Sequence, residues 1–292
     1  MTSTDECCPY CQQSSYLPAQ SIDRRTWYQL ARIDLLREEY RQLFVEFHED
    51  EETKAFLQQS QEKSDNIPVQ ILHSLASSLL TVFIARTSVE QTNGLIGRGR
   101  MFVYSTAQFK SLLDITDSQQ VPLLSLLDIG AGDGCVTERM APVFDKVYAT
   151  EMSSIMQWRL SNFGYTVLGI DNWGDLKFDV ITCLNVLDRC EKPLSLLKKI
   201  REHLNSDHGR VIIALVLPFK PYVEYNNDHH PDEAIRIKSR LVEEQINEFV
   251  VNVFQPLGFR LKKLCRLPYL CEGDMERSYY FLSDYIFVLE VD

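Results

Sequence analysis

The chain has 292 residues, 45% hydrophobic and 24% charged, a balance that excludes a disordered or collagen-like protein. Lys and Arg number 30 against 41 Asp and Glu, giving a formal charge of −11 with His neutral. That sign argues against a nucleic-acid partner, because holding phosphates takes a basic field.

Residues 1–23 begin MTSTDECCPYCQQSS, without the basic start and apolar run of a signal peptide, and read as a flexible tail. An intracellular, cytoplasmic protein is expected, with its eight cysteines as reduced thiols. Cys8 and Cys11 form one C-x-x-C beside Cys7, half of a zinc ligand set, so no metal is expected. Residues 24–92 read as a helical segment that packs on the rest of the chain. Its most apolar stretch, Val69 to Ala85, carries Leu72, Leu75, Leu79 and Phe83 at helical spacing but is interrupted by His73, Ser74, Ser77 and Ser78. A membrane span takes about 20 predominantly apolar residues, so a buried helix is the better reading. The loop NGLIGRGRMF, Asn93 to Phe102, marks the boundary to a second unit at 93–292.

In that unit short apolar runs alternate with amphipathic stretches. LLSLLDIG, KVYATE, YTVLGID, FDVITCLN and GRVIIALVLP read as buried parallel strands, with helical patterning near Glu138–Pro142, Ser153–Phe163 and Pro193–Leu204. A further helix at about Asp232–Phe254 and two strands, Phe259–Leu267 and Tyr285–Leu289, complete the pattern. The expected fold is α/β, a doubly wound seven-stranded Rossmann-like sheet with an N-terminal helical extension.

The strongest local signal is LLDIGAGDG, Leu126 to Gly134. Glycines at the end of a strand let the backbone turn sharply and approach a ligand closely. A dinucleotide-binding G-x-G-x-x-G is met at Gly130 and Gly132, but its third place falls on Cys135. Asp128 two residues before Gly130 instead resembles the S-adenosylmethionine loop of class I methyltransferases. Glu151 closes the next strand, where an acid accepts ribose hydroxyls in either cofactor class. Asp171 and Asn172 follow the third strand, with Asp171 read as a solvated loop carboxylate.

Longer segments narrow the resemblance. LIGRGRMFVYS (Leu95–Ser105), CLNVLDRC (Cys183–Cys190), LVLPFKPYVE (Leu215–Glu224) and RLPYLCEGDM (Arg266–Met275) resemble the methyltransferase-like protein 9, or DREV, family. The resemblance implies a class I enzyme that takes its methyl group from S-adenosylmethionine, leaving S-adenosylhomocysteine. The implied acceptor is protein histidine, at the pros nitrogen Nδ1, in His-x-His sequences with small x.

Chemistry then nominates residues. An imidazole Nδ1 attacks only when the ring proton sits on Nε2, and a carboxylate bonded to Nε2–H selects that tautomer and stabilises the forming imidazolium. Asp188, just past the fourth strand, is the candidate carboxylate, against the plainer reading of an acid paired with Arg189. Asn185 is a candidate catalytic and cofactor contact; on composition alone it caps a turn. Tyr269 is a candidate to stack on the acceptor or donate to the cofactor, against a core tyrosine. The cofactor set is Asp128, Gly130, Gly132, Glu151, Asn185, Tyr269 and Arg98, the last reaching the cofactor carboxylate from the boundary loop. Glu272 and Asp274 are expected to make a negative substrate mouth. The six histidines include no His-x-His, so self-methylation is not expected. The expected partners are His-x-His proteins acted on by a monomer, without nucleic acid or membrane span. Another acceptor, lysine or a small metabolite, and a non-catalytic cofactor-binding adaptor stay open as alternatives.

Overall fold

A computed structural model describes residues 23–66, 99–115, 123–223, 226, 228–273 and 277–291. Five central strands follow the chain order expected: β2 (Leu123–Ile129), β3 (Phe144–Thr150), β4 (Thr166–Leu168), β5 (Val180–Leu184) and β6 (Arg210–Val216). These five run parallel to one another. Two long antiparallel strands, β7 (Phe259–Glu272) and β8 (Tyr279–Val291), extend the sheet beyond β6.

The sheet has eight strands rather than seven. The additional one is β1, Met101–Phe102, which pairs antiparallel with Cys271 and Leu270 of β7. A two-residue strand carries no alternation long enough to read from sequence. It falls inside the segment expected to be a boundary loop. The spatial order is β1-β7-β8-β6-β5-β2-β3-β4. The order reverses between β2 and β5, which opens a crevice at their carboxyl ends.

The alternation of the strands builds two apolar layers. Leu127, Ile129, Ile181, Cys183, Ile213, Leu215 and Phe287 face one side and meet Leu197 and Ile200 of the helix Pro193–His203. Leu126, Val180, Ile212, Ala214, Ile286 and Val288 face the other, against Phe102, Tyr104, Phe109 and Met140. The expected helix at 232–254 begins only at Val242 and passes at Phe249 into a π turn.

Residues 24–66 are helical only in part. Asp23, expected in the tail, caps a short 3-10 turn, Arg24–Trp27, and the rest of the expected tail lies outside the described residues. A four-residue helix, α1 (Glu38–Arg41), precedes an extended stretch that bonds the outer edge of β7: Leu264 N–H donates to Leu43 O at 2.9 Å and Val45 N–H to Leu264 O at 2.7 Å. Covering that edge removes a site for unwanted strand pairing. The helix α2 (Glu51–Asp65) is capped by Asp50 and buries Thr53, Phe56, Leu57 and Ser60, one stripe at i, i+3, i+4 and i+7. Trp27 stacks on Phe281 of β8, ring centroids 4.6 Å apart. The helix expected at Val69–Ala85 and Arg98 lie outside the described residues. Among those described, no helix is long and apolar enough to cross a membrane.

Candidate functional site

The glycine turn leaves β2 at the reversal point. Gly130 and Gly132 both have positive φ, 69° and 54°, where a side chain is strained. They differ in surroundings. A Cβ on Gly130 would stand 2.7 Å from Val186 Cγ2, whereas one on Gly132 would meet nothing within 4 Å. Gly130 is therefore required for packing against the segment after β5, and Gly132 is the glycine that opens onto space. The turn is fixed to β3: Gly130 and Ala131 N–H both donate to Thr150 O, at 2.9 and 3.1 Å.

Glu151 stands where the sequence places it, past the end of β3. Its carboxylate accepts Gly132 N–H at 3.0 Å and Ser153 N–H at 2.9 Å, joining the glycine turn to the helix Ser154–Asn162. Asp128 plays a more internal part than a ligand contact. It is buried, and its two oxygens accept the hydroxyls of Thr137 (2.6 Å) and Thr182 (2.7 Å). Burial pushes its pKa up to about 6 against the pull of those two hydroxyls. It braces the glycine turn against β5.

Beyond β5 the chain turns through Asn185, at φ 56°, a left-handed conformation that Asn tolerates better than most residues. Its backbone N–H donates to Ala214 O at 3.0 Å, holding the turn to β6. Its side-chain amide donates from Nδ2 to Asp284 Oδ2 at 2.8 Å, while Oδ1 is buried with no donor among the described residues. Asp188, three residues on, is buried. Arg189 Nε lies 3.6 Å from its carboxylate, and its carbonyl accepts Tyr222 N–H at 2.7 Å.

Asp284 is the residue that sequence reasoning missed. It lies in β8 opposite Val216 and Leu267, fully buried at 0% exposure. Burial pushes its pKa up to about 8; the Asn185 amide opposes this and the nearby charge of Asp188 adds to it. The available signal was an acid, Asp284, in the middle of the apolar strand YYFLSDYIFVLEV. Tyr104 is also buried here, its hydroxyl 2.9 Å from Met140 Sδ. Burial raises its pKa well above the ordinary value, and the charges of Asp128 and Asp284 add to the shift.

Two other candidates are repositioned. Tyr269 lies within β7, where a strand end was expected, and shares its sheet face with Asp284 because Leu267 pairs with that residue. It is half-buried, with its hydroxyl directed at Met101 Sδ. Glu272 does not line an acidic mouth. It is buried in β7, paired with Lys63, and its backbone N–H donates to Arg100 O at 2.9 Å. Asp274 lies outside the described residues. Among the described residues no group of three or more His, Cys, Asp or Glu is placed to hold a metal.

The edge thus gathers Asp128, Asp188 and Asp284, three buried carboxyls, around a strained asparagine and a glycine turn. Such a set accepts N–H donors and favours positive charge.

A family model described as DREV methyltransferase matches residues 27–291. Solved structures similar to the chain include magnesium protoporphyrin IX methyltransferase from Synechocystis, 14% identical, covering 74% of this chain and 97% of that one, with a TM-score of 0.43. A TehB-like S-adenosylmethionine-dependent methyltransferase from Corynebacterium glutamicum is 16% identical over 65% of this chain and 88% of its own, with a TM-score of 0.41. An S-adenosylmethionine-dependent methyltransferase from Clostridium acetobutylicum is 14% identical over 76% and 99%, with a TM-score of 0.40. The match over nearly the whole described chain, rather than these distant likenesses, carries the assignment.

Proposed function

The chain belongs to the DREV methyltransferase family, and from that premise we propose that it methylates protein histidine at Nδ1 in His-x-His sequences, using S-adenosylmethionine. The observation that supports the proposal is a buried carboxylate, Asp188, in the segment that follows β5, three residues after Asn185.

The residues suit that cofactor. The open space over Gly132 admits a ligand against the backbone, and Glu151 stands beside it with oxygens able to exchange backbone donors for ribose hydroxyls. The acceptor oxygen of Asn185 suits an ammonium group. When bound, S-adenosylmethionine supplies a methyl group on a sulfonium. Asp128 contributes indirectly, by holding the turn through Thr137 and Thr182.

The chain's remaining work is alignment and proton placement. In-line attack needs the Nδ1 lone pair fixed opposite the departing sulfur, so orientation supplies much of the acceleration. In this reading Asp188 accepts Nε2–H of the substrate ring, which leaves Nδ1 unprotonated. As the Nδ1–carbon bond forms, the ring becomes cationic and the Asp188 charge stabilises it. The product's Nε2 proton then leaves to solvent. Burial strengthens the charge interaction relative to an exposed carboxylate.

The test is methyl transfer from labelled cofactor to a peptide of His-Ala-His units, with mass-spectrometric location of the label. Methyl on Nδ1 of histidine supports the reading. Label on lysine or a small metabolite instead assigns a different acceptor, and cofactor binding with no transfer to any extract component assigns an adaptor.

A further inference from the structure

We propose that Asp284 is a positioning residue of the transfer site: its hydrogen bond to the Asn185 amide fixes the Asn185 carbonyl oxygen as an acceptor for an N–H of the bound ligand. This rests on the methyltransferase reading above and deepens it.

An asparagine amide has a donor end and an acceptor end, and which end faces a ligand depends on what holds the other. Here Asp284 Oδ2 takes Nδ2–H at 2.8 Å. Oδ1 is left as the free end, buried and without a donor among the described residues. Oδ1 of Asp284 is in the same condition. Buried acceptors are nearly always satisfied in native proteins, so the unsatisfied Asn185 oxygen marks a place built for a donor. The backbone supports the same orientation: Asn185 sits at φ 56° with its N–H tied to Ala214, a strained conformation retained at the reversal point of the sheet. Val186, the next residue, packs over Gly130, which brings this segment of the chain against the glycine turn.

The ligand chemistry is an N–H carried by a positive or developing positive charge. Two sources fit, the ammonium of the cofactor's amino-acid end and the substrate imidazole ring. Among the described residues the groups facing Asp284 are Asn185, Asp188, Tyr104 and Cys265, none of them a basic side chain. Burial accordingly keeps Asp284 protonated up to about pH 8, a neutral acceptor for Nδ2–H that adds no second negative charge next to Asp188.

The experiment compares wild type, Asp284→Asn and Asp284→Leu in three readouts: the Asn185 side-chain amide by 15N NMR, S-adenosylhomocysteine affinity by calorimetry, and kcat and KM on the His-Ala-His peptide. The amide carbonyl of the Asn variant still accepts Nδ2–H, so it should stay within about threefold of wild type in affinity and kcat/KM. The Leu variant removes the acceptor and should lose at least about tenfold, in affinity if the cofactor ammonium is the donor, or in kcat/KM at unchanged affinity if the ring is. In wild type the Asn185 NH2 protons should be protected from exchange and shift as Asp284 titrates near pH 8, and the Asn variant should lose that titration. A folded Leu variant with unchanged Asn185 resonances and rates overturns the proposal, as does an Asn variant impaired as badly as Leu. If the Leu variant does not fold, freely exchanging Asn185 amide protons in wild type overturn it alone. Failure of the histidine reading is separate: wild type would then leave the peptide unmethylated, with the NMR and calorimetric arms still decisive.

Discussion

Two buried aspartates stand at opposite ends of the central strands and have opposite fates. At the amino end of β5, Asp179 accepts from Ser125 N–H and Oγ–H (2.9 Å each), Asn205 Nδ2 (2.6 Å) and His208 Nε2 (2.8 Å). Burial raises its pKa, but these donors outweigh it and the carboxyl ends below the usual carboxylate range. At the carboxyl edge, Asp284 has one donor among the described residues, Asn185, and burial dominates. A satisfied acid is part of the scaffold. An acid left short of donors beside the turn after β5 is, in the reading proposed above, part of the ligand site, and stability is lower there than it would be with a neutral residue.

The sharpest way to break this contrast is Asp188→Asn. It keeps the shape, removes the charge that stabilises the forming imidazolium, and lets the side-chain NH2 face the ring. Methylation should fall about 10²-fold or more with S-adenosylhomocysteine affinity nearly unchanged. Equal rates in the two proteins would move the proton-holding role elsewhere at the edge.

The two glycines provide the next test. Gly132→Val fills space that is open in the fold, so cofactor affinity should fall at least about tenfold while the melting temperature drops only by the strain of a side chain at positive φ. Gly130→Val drives a side chain into Val186 and should chiefly lower stability, by about 1–3 kcal/mol from overpacking plus strain. The same pair of measurements, calorimetry and thermal melting, separates the roles.

The two aspartates should then move stability in opposite senses. Asp179 has a lowered folded pKa, so it stabilises the fold above its unfolded pKa and the contribution is lost as pH falls through the folded value. Asp179→Asn should lower the melting temperature at pH 7 by several degrees, from about 2 kcal/mol of lost charge-assisted bonds. Asp284 has a raised folded pKa, about 8. Between about pH 4 and 8 the folded state holds a proton the unfolded chain has released, so stability falls as pH rises through that window. Asp284→Asn should therefore melt a few degrees higher than wild type at pH 8 and nearly equally at pH 4. Identical pH dependence of melting in the two proteins would place the titration on another group.

Activity should also decline below about pH 6.5, where a substrate imidazole takes up a proton and its attacking lone pair is lost. A rate profile on the His-Ala-His peptide checks this, and a flat profile down to pH 5 would exclude imidazole as the acceptor.

Much of this was legible in the chain because the relevant signals are local. The run LLDIGAGDG gives a strand, a turn and an acid within nine residues, and the structure places Gly130, Gly132 and Glu151 together at one edge. The other seven strands, from the three-residue β4 to the long β7 and β8, follow from apolar runs in the sequence. What was not legible depends on distant pairing. β1 exists because Met101 and Phe102 meet the end of β7, about 170 residues later. Glu272 reads as part of an acidic substrate mouth until Lys63, in α2, is seen beside it. Asp128 reads as a cofactor contact until Thr137 and Thr182 are found on its oxygens. Asp284 has a weak signature in its own strand, and its meaning comes from Asn185, 99 residues earlier.

The central claim is that the carboxyl edge, with Asp188 and Asn185, presents Nδ1 of a histidine for methylation. The most direct measurement is mass-spectrometric location of the label after wild-type protein and labelled S-adenosylmethionine are incubated with a His-Ala-His peptide. The account predicts methyl on Nδ1 of the imidazole, lost about 10²-fold in Asp188→Asn. Methyl on Nε2, on another residue type, or unchanged labelling in the Asp188 variant would contradict it.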